Sequence, residues 1–232
     1  MIVARSLASD ARGAEYGSVV TADFQTRGRG RGNERVWLMK RKSGLAFTIS
    51  LRRAQALTLR LGLAVTLAIE DFAPRLTGKA VIKWPNDILI NDKKIAGILC
   101  ESDGEFVYAG VGINLRQKKF QDNFRKKASS ISLELGRGLK NKDRFCLLEL
   151  ALARIHSELE TPDGDDWKLR LEKRLYKINE EVLFRAGSSD SFTEIKGKLA
   201  GIGQDGELLI TPRGAQRGAP QPSSFTAGEL VL

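Results

Sequence analysis

The chain has 232 residues, a formal net charge of +10 and one histidine. With 42% hydrophobic and 28% charged residues it has a globular composition, which excludes a disordered chain. Two cysteines exclude a disulfide scaffold and leave no metal-ligand spacing, and no apolar run approaches the roughly 20 residues of a membrane-spanning helix.

At about 150 residues per domain, the length predicts one or two domains. The start carries no basic patch followed by an apolar stretch, so no signal peptide is expected and a cytoplasmic setting is. The charge is concentrated. Residues 27–60 hold ten basic residues against one acid, Glu34, and the rest of the chain is close to neutral. Such a segment fits nucleic acid, an anionic membrane surface or a phosphorylated small molecule.

In chain order, the apolar spacing of Val3, Leu7, Ala8 and Ala11 predicts a short helix within Ile2–Arg12. Gly17–Phe24 is β-branched and reads as a strand, followed by the loop RGRGRGNER and a second strand opening at Trp37. KRKSG is a solvated turn and Leu45–Leu51 a strand. Ala54–Phe72 carries Leu57, Leu61, Ala64, Val65, Ala68, Ile69 and Phe72 on one face of a helix, with Pro74 just past its end. Strands are expected at Ala80–Trp84, Ile88–Ile90, Lys94–Glu101 and Phe106–Leu115. Asp103-Gly104 reads as a two-residue turn. A short helix near Ile131–Leu135 and two amphipathic helices, Asp143–Glu160 and Asp165–Lys177, follow. Beyond Asn179 only short strands with glycine turns are expected, at Glu181–Arg185, Thr193–Gly203, Glu207–Thr211 and Phe225–Val231. Their spacing predicts a small β-barrel. The predicted domains are 1–178 and 179–232.

Three constellations can carry chemistry. In QTRGRGRGNERVW, residues 25–37, glycines permit close backbone approach and alternating arginines can grip carboxylate or phosphate oxygens in pairs. An RNA-binding arginine-glycine segment has the same composition. The flanking strands instead suit a lid that orders over an anionic ligand. Next, Lys83-Trp84-Pro85-Asn86-Asp87 stops a strand so that Asn86 and Asp87 stand at its end, where binding groups tend to sit. Lys94 opens the apolar strand IAGIL, pointing either to solvent or inward as a fixed cation; Glu101 reads as an exposed hairpin residue. Third, AGVGINL, residues 109–115, puts glycines inside a strand, a mark of a ligand or backbone passing close by. His156, Cys100 and Cys146 read as structural residues, the cysteines as small core side chains.

QTRGRGR, KWPNDI followed by KKIAGILCE, and GVGINL, in this order, resemble the signature segments of the biotin protein ligases. The resemblance runs from about Gly17 to the C-terminus. It implies an α+β fold: a mixed β-sheet with flanking helices, like class II aminoacyl-tRNA synthetases, followed by a small SH3-like barrel. It implies ATP, Mg²⁺ and biotin as reactants, and a biotin carboxyl carrier protein as partner. In such a reaction biotin is activated as biotinyl-5′-AMP and passed to a carrier lysine. Both first-step reactants are anions, so cations must neutralise them in a water-poor site.

Residue by residue, the resemblance implies Lys94, Arg31 and Asp87 as catalytic groups, with Lys94 bridging the biotin carboxylate and the α-phosphate. Gln25, Arg29, Gly30, Arg31, Lys94, Gly97 and Gly110 would line biotin. Arg29, Arg31, Trp37, Asn86, Lys94 and Asn114 would hold the nucleotide, Trp37 packing on adenine and Asn114 near Mg²⁺, with Gly112 leaving room against the sheet. No resident metal site is expected.

The resemblance also sets expectations about the chain start. No helix-turn-helix fits before Gly17, so the form without a repressor domain is expected. The family's Ser-Thr-Asn strand, which grips the ureido ring, has no match here: either the true start lies upstream or biotin is held with fewer hydrogen bonds, and weakened biotin binding is expected for this chain, roughly 1–3 kcal/mol per lost buried bond. The loop from Arg31 to Trp37 is one residue longer than in the family and carries Asn33 and Glu34. Lys40–Ser43 replaces the family's Ser-Pro segment and reads as solvated charge. A lipoate ligase shares the architecture, and a nucleic-acid-binding or regulatory protein could use the basic segment 27–60; KWPND argues against the first, and against the second stand the lack of a recognition-helix motif and the unexplained Lys94 and Asn86-Asp87. A side-by-side homodimer through sheet edges is a further expectation.

Overall fold

The structure, a computed structural model, describes residues 16–32, 36–104, 106–120, 128–160, 166–188, 191–213 and 221–231. The expected first helix, Asn33 and Glu34 lie outside the described residues.

Strand β1 (Val19–Ala22) leads into a hairpin of β2 (Gln25–Arg29) and β3 (Val36–Met39), then β4 (Gly44–Leu51). Helix α1 (Leu57–Phe72) and a 3₁₀ turn at Pro74–Leu76 come next. Strands β5 (Ala80–Lys83), β6 (Asp87–Ile90), β7 (Lys93–Ser102) and β8 (Val107–Asn114) complete the first sheet. Helices α2 (Ile131–Leu135), α3 (Asp143–Glu160) and α4 (Trp167–Glu172) follow. Five strands close the chain: β9 (Glu181–Gly187), β10 (Phe192–Ile202), β11 (Leu208–Pro212), β12 (Ser223–Phe225) and β13 (Gly228–Leu230).

The large sheet has the order β1-β4-β8-β7-β6-β5. Its named strand pairs are all antiparallel, which corrects the expected mixed sheet; parallel pairing is confined to single bridges such as Ile82 to Leu175. The smaller sheet runs β12-β11-β10-β9-β13, with β12 and β13 as its edges.

Period-two alternation in β4 sends Leu45, Phe47, Ile49 and Leu51 into one core with Ile98, Val111 and Ile113. Helices α1 and α3 cover that face. Ala46, Thr48 and Gly112 turn the other way. Helix α1 starts later than its apolar spacing suggests, because Ala56 sits at φ 47° and begins the turn there. It also serves two cores. Leu59 and Leu63 lie on a second stripe and join Trp84, Trp167, Phe184, Leu208 and Leu230.

Helix α4 is shorter than expected because the chain after it is captured by β5. Ile82 donates to the Arg174 carbonyl at 2.7 Å and accepts from Tyr176 N at 2.9 Å. The predicted last strand, Phe225–Val231, is two strands, parted at Thr226-Ala227. Cys146 is exposed rather than in the core, Cys100 is half-buried, and the His156 side chain faces solvent beside Glu160.

Glu158 is the charged centre between the helices. It is 4% exposed, pairs with Arg60 of α1 at 3.2 Å and with Arg170 of α4 at 2.7 Å, and Arg60 is 1% exposed. Removing one partner from a buried ion pair is strongly destabilising. Glu158→Gln is expected to cost about 3 kcal/mol, read as a lower urea midpoint with an unchanged slope.

Candidate active site

The site is built where the hairpin β2–β3 lies over the glycine-lined face of the large sheet. Its geometry begins with a β-bulge. Ile88 pairs with Ala96, but Leu89 pairs with Lys94, so β7 carries one extra residue at this point. That residue puts Lys94 on the same face as Gly97. The lysine stem then crosses Gly97, and its Nζ reaches Asp87 Oδ1 at 2.6 Å. A Cβ at Gly97 would stand 3.0 Å from Lys94 Nζ, so a bare backbone is what lets the stem lie flat. Asp87 is 3% exposed, and Lys94 reads here as the inward alternative.

Asn114 fixes the other side of Lys94. Its Nδ2 donates to the Lys94 carbonyl at 3.3 Å, and its Oδ1 accepts from Gln117 at 3.0 Å. Asn86 is likewise committed to the scaffold, donating from Nδ2 to the Ile98 carbonyl at 2.7 Å. In this structure both asparagines hold strand ends in place.

Trp37 lies flat against the sheet. A Cβ on Gly112 would stand 2.6 Å from Trp37 Cε2, and the indole faces Lys94 Nζ, 5.6 Å from its centroid. Its Nε1 is buried and has no hydrogen-bond partner among the described residues. The indole nitrogen faces the sheet at Gly112, 3.0 Å from where a Cβ there would stand. Gln25 opens β2 opposite Met39, its Oε1 beside Gly28. Gly110 stands between Thr48 and Leu99, and Gly30 follows β2, half-buried.

The two arginines lead in different directions. Arg29 Nη2 donates to Glu101 Oε2 at 2.8 Å. Arg31 reaches the C-terminal sheet, donating to the Gly228 carbonyl, with its guanidinium 5.9 Å from the Trp84 ring centroid. Trp84 is itself tied there, its Nε1 donating to the Gly206 carbonyl at 2.9 Å. The structure therefore brings Lys94, Asp87, Gly97, Gly112, Trp37 and Asn114 together, while Arg31 is engaged with Gly228 and Trp84.

Sequence reasoning passed over Glu101. Counting by twos from Gly97 through Leu99 puts it on the ligand face, which was the available signal. The contributions of Gly206 and Gly228 had none, because they come from across the fold. A cleft of about 450 Å³ opens beside the site, lined by Thr58, Trp84, Pro85, Cys100, Glu101 and Gly206 among others. Burial pushes the Cys100 thiol up, so it stays protonated at neutral pH and is no nucleophile. Among the described residues no group of three or more His, Cys, Asp or Glu could hold a metal.

A sequence profile of the biotin/lipoate A/B protein ligase family matches residues 8–117. The chain is 30% identical over 226 residues to the biotin–[acetyl-CoA-carboxylase] ligase of Paracoccus denitrificans, covering 90% of each chain. It is 33% identical over 210 residues to the bifunctional ligase/repressor BirA of Bacillus subtilis, covering 85% of this chain and 62% of that one. Among solved structures, the biotin protein ligase from Aquifex aeolicus in complex with biotin and ATP superposes with a TM-score of 0.77 at 28% identity, over 94% of this chain and 89% of the other. The chain belongs to the biotin/lipoate protein ligase family. It spans under two thirds of the length of its Bacillus relatives.

Gly112→Ala is expected to push the Trp37 indole off the sheet, since the new methyl would stand 2.6 Å from it. The measurement is tryptophan emission, shifting to longer wavelength. Trp84 and Trp167, 3% and 2% exposed, report that the cores are intact.

Proposed function

We propose that the chain is an ATP-dependent biotin ligase that forms biotinyl-5′-AMP and transfers the biotinyl group to a lysine of a biotin carboxyl carrier protein. The observation that carries this reading is the Lys94–Asp87 pair laid across Gly97, beside the Trp37 indole that lies on Gly112. The similarity to ligases named for biotin and acetyl-CoA carboxylase supports the choice of substrate and acceptor.

In the first step biotin's anionic carboxylate must attack the anionic α-phosphate of ATP, breaking the bond to the β-phosphate and releasing pyrophosphate. Lys94, held in a partly water-excluded position, offsets the charge that accumulates there. When the ligand anions arrive they compete with Asp87 for the ammonium. Arg31 exchanges a neutral carbonyl for a phosphate, a stronger charge-assisted partner. Arg29, Gln25, Gly30, Gly97 and Gly110 surround biotin in this reading. Trp37, Asn86 and Asn114 serve the nucleotide, whose Mg²⁺ enters as part of the MgATP substrate beside Asn114.

In the second step the acceptor amine attacks the acyl carbon of the adenylate, losing a proton as the amide forms and AMP leaves. Asp87, freed from Lys94, is the carboxylate placed to orient that amine. The hairpin excludes water from the mixed anhydride. We also assign residues 179–232 to an SH3-like barrel, the setting to the cytoplasm, and the assembly to a homodimer. KWPND and the biotin-named relatives favour biotin over lipoate.

The deciding experiment is incubation with ATP, Mg²⁺, radiolabelled biotin and a carboxyl carrier domain. Biotinyl-adenylate and a labelled carrier are expected; folded protein that forms neither would overturn the reading. Lys94→Ala should abolish adenylate formation in a protein that still folds, with a lowered thermal midpoint because the buried Asp87 loses its cation. Arg31→Gly should release adenylate, so that label appears on lysines of bystander proteins; labelling confined to the carrier would remove Arg31 from its role.

A further inference from the structure

The lid and the site account for Arg29 and Arg31 but not for the rest of the basic segment. Lys40, Arg41 and Lys42 form the β3–β4 turn, and all three are exposed. The chain leaving β8 packs on that turn: Arg116 N donates to the Ser43 carbonyl at 2.7 Å and Arg116 Nη1 to the Lys42 carbonyl at 3.1 Å. Exposed Lys118 and Lys119 follow. Among the described residues, no ion pair involves these five lysine and arginine side chains of the turn and the 118–119 pair. Asp23, whose backbone carbonyl accepts from Lys42 N, feels the charges of Lys42 and Arg41 but is paired with Arg144 at 2.5 Å.

This cationic surface stands at the site's own end of the sheet. Gly44, just past the turn, pairs with Asn114, and Asn114 holds the Lys94 carbonyl. Next to it lies apolar surface. Trp37 and Met39 turn inward along β3, so alternation leaves Val36 and Leu38 on the outside, 54% and 45% exposed, and Phe24 is 53% exposed at the start of the hairpin. Apolar side chains beside a rim of cations are the surface of a protein-binding face. Aliphatic groups offer nothing to a phosphodiester backbone, which argues against nucleic acid.

We infer that the outer face of the β2–β3 hairpin, the turn 40–42 and residues 116–119 together form the docking surface for an acidic face of the carrier protein. The inference rests on the ligase reading and names how its macromolecular substrate is drawn in. Cations here raise the encounter rate with an acidic partner and orient it towards Lys94 and Asp87, an effect that falls with salt.

The test uses the full chain and an isolated biotin carboxyl carrier domain. One variant carries Lys40→Glu and Arg41→Glu, sparing Lys42, whose φ of 56° is a constraint of the turn. A second, independent variant carries Lys118→Glu and Lys119→Glu. In each, kcat/KM for the carrier at low ionic strength is expected to fall about tenfold, within the range of electrostatic steering, and its salt dependence to flatten. Biotin-dependent ATP–pyrophosphate exchange, which reads the first step alone, is expected to stay unchanged.

An unchanged kcat/KM for the carrier in both variants overturns the inference. So does a parallel loss of exchange, which would assign the cations to the nucleotide's phosphates. Labelled duplex DNA bound by the unaltered chain and released by the variants, with carrier modification intact, would assign the surface to nucleic acid instead. Absence of exchange in the unaltered chain overturns the ligase reading itself, and the docking surface with it.

Discussion

An ammonium group close to a buried carboxylate needs a rigid frame, because either charge alone would be costly to desolvate. Lys94 and Asp87 meet that condition at 2.6 Å, with Asp87 nearly sealed from solvent. Each neighbouring feature serves the pair. The bulge in β7 turns the lysine to the correct face, Gly97 lets its stem pass, and Asn114 holds its carbonyl. Asn86 docks the end of β6 onto β7, which sets where Asp87 stands. A one-residue shift in strand register would move Lys94 to the opposite face, since side chains alternate with period two.

The same logic extends to the arginines. The fold gives each of these cations a partner within the protein. Asp87 holds Lys94, Glu101 holds Arg29, and the Gly228 carbonyl holds Arg31. The three partners differ in strength. A buried carboxylate fixes its cation, an exposed carboxylate pair is worth at most about 1 kcal/mol, and a neutral carbonyl is the weakest. Of these partners the one most nearly sealed from solvent is Asp87, which holds Lys94.

Much of this was legible in the sequence where local physics decides. Helices Ile131–Leu135 and Asp143–Glu160 were read at their observed bounds, because their caps and apolar spacing are local. Strands β4, β7 and β8 followed from β-branched and glycine patterning within a residue or two. The glycines of IAGIL and GVGIN pointed to close approach, and Gly97 and Gly112 are indeed crossed by Lys94 and Trp37. What was not legible came from long range. The length of α4 depends on Ile82, more than eighty residues earlier, taking over the backbone of Arg174 and Tyr176. The inward turn of Lys94 depends on a bulge that no residue type announces. The anchoring of Arg31 depends on a glycine carbonyl 197 positions away.

That last contact gives the small sheet a part in the site. Trp84 sits at the junction, 3% exposed, in edge contact with Phe184 at 5.8 Å between ring centroids and bonded to Gly206. It belongs to the segment that delivers Asn86 and Asp87, and its ring carries the Arg31 guanidinium. Leu59 and Leu63 of α1 pack into the same cluster, while Leu61 and Ala64 of the same helix pack under the large sheet. One helix therefore spans both cores, and the strand that carries the buried acid is seated in the second. Displacing the small sheet would move Trp84, and Trp84 cannot move without disturbing the turn before Asp87. The position of the central ion pair is set from both halves of the molecule, although its residues all lie in one.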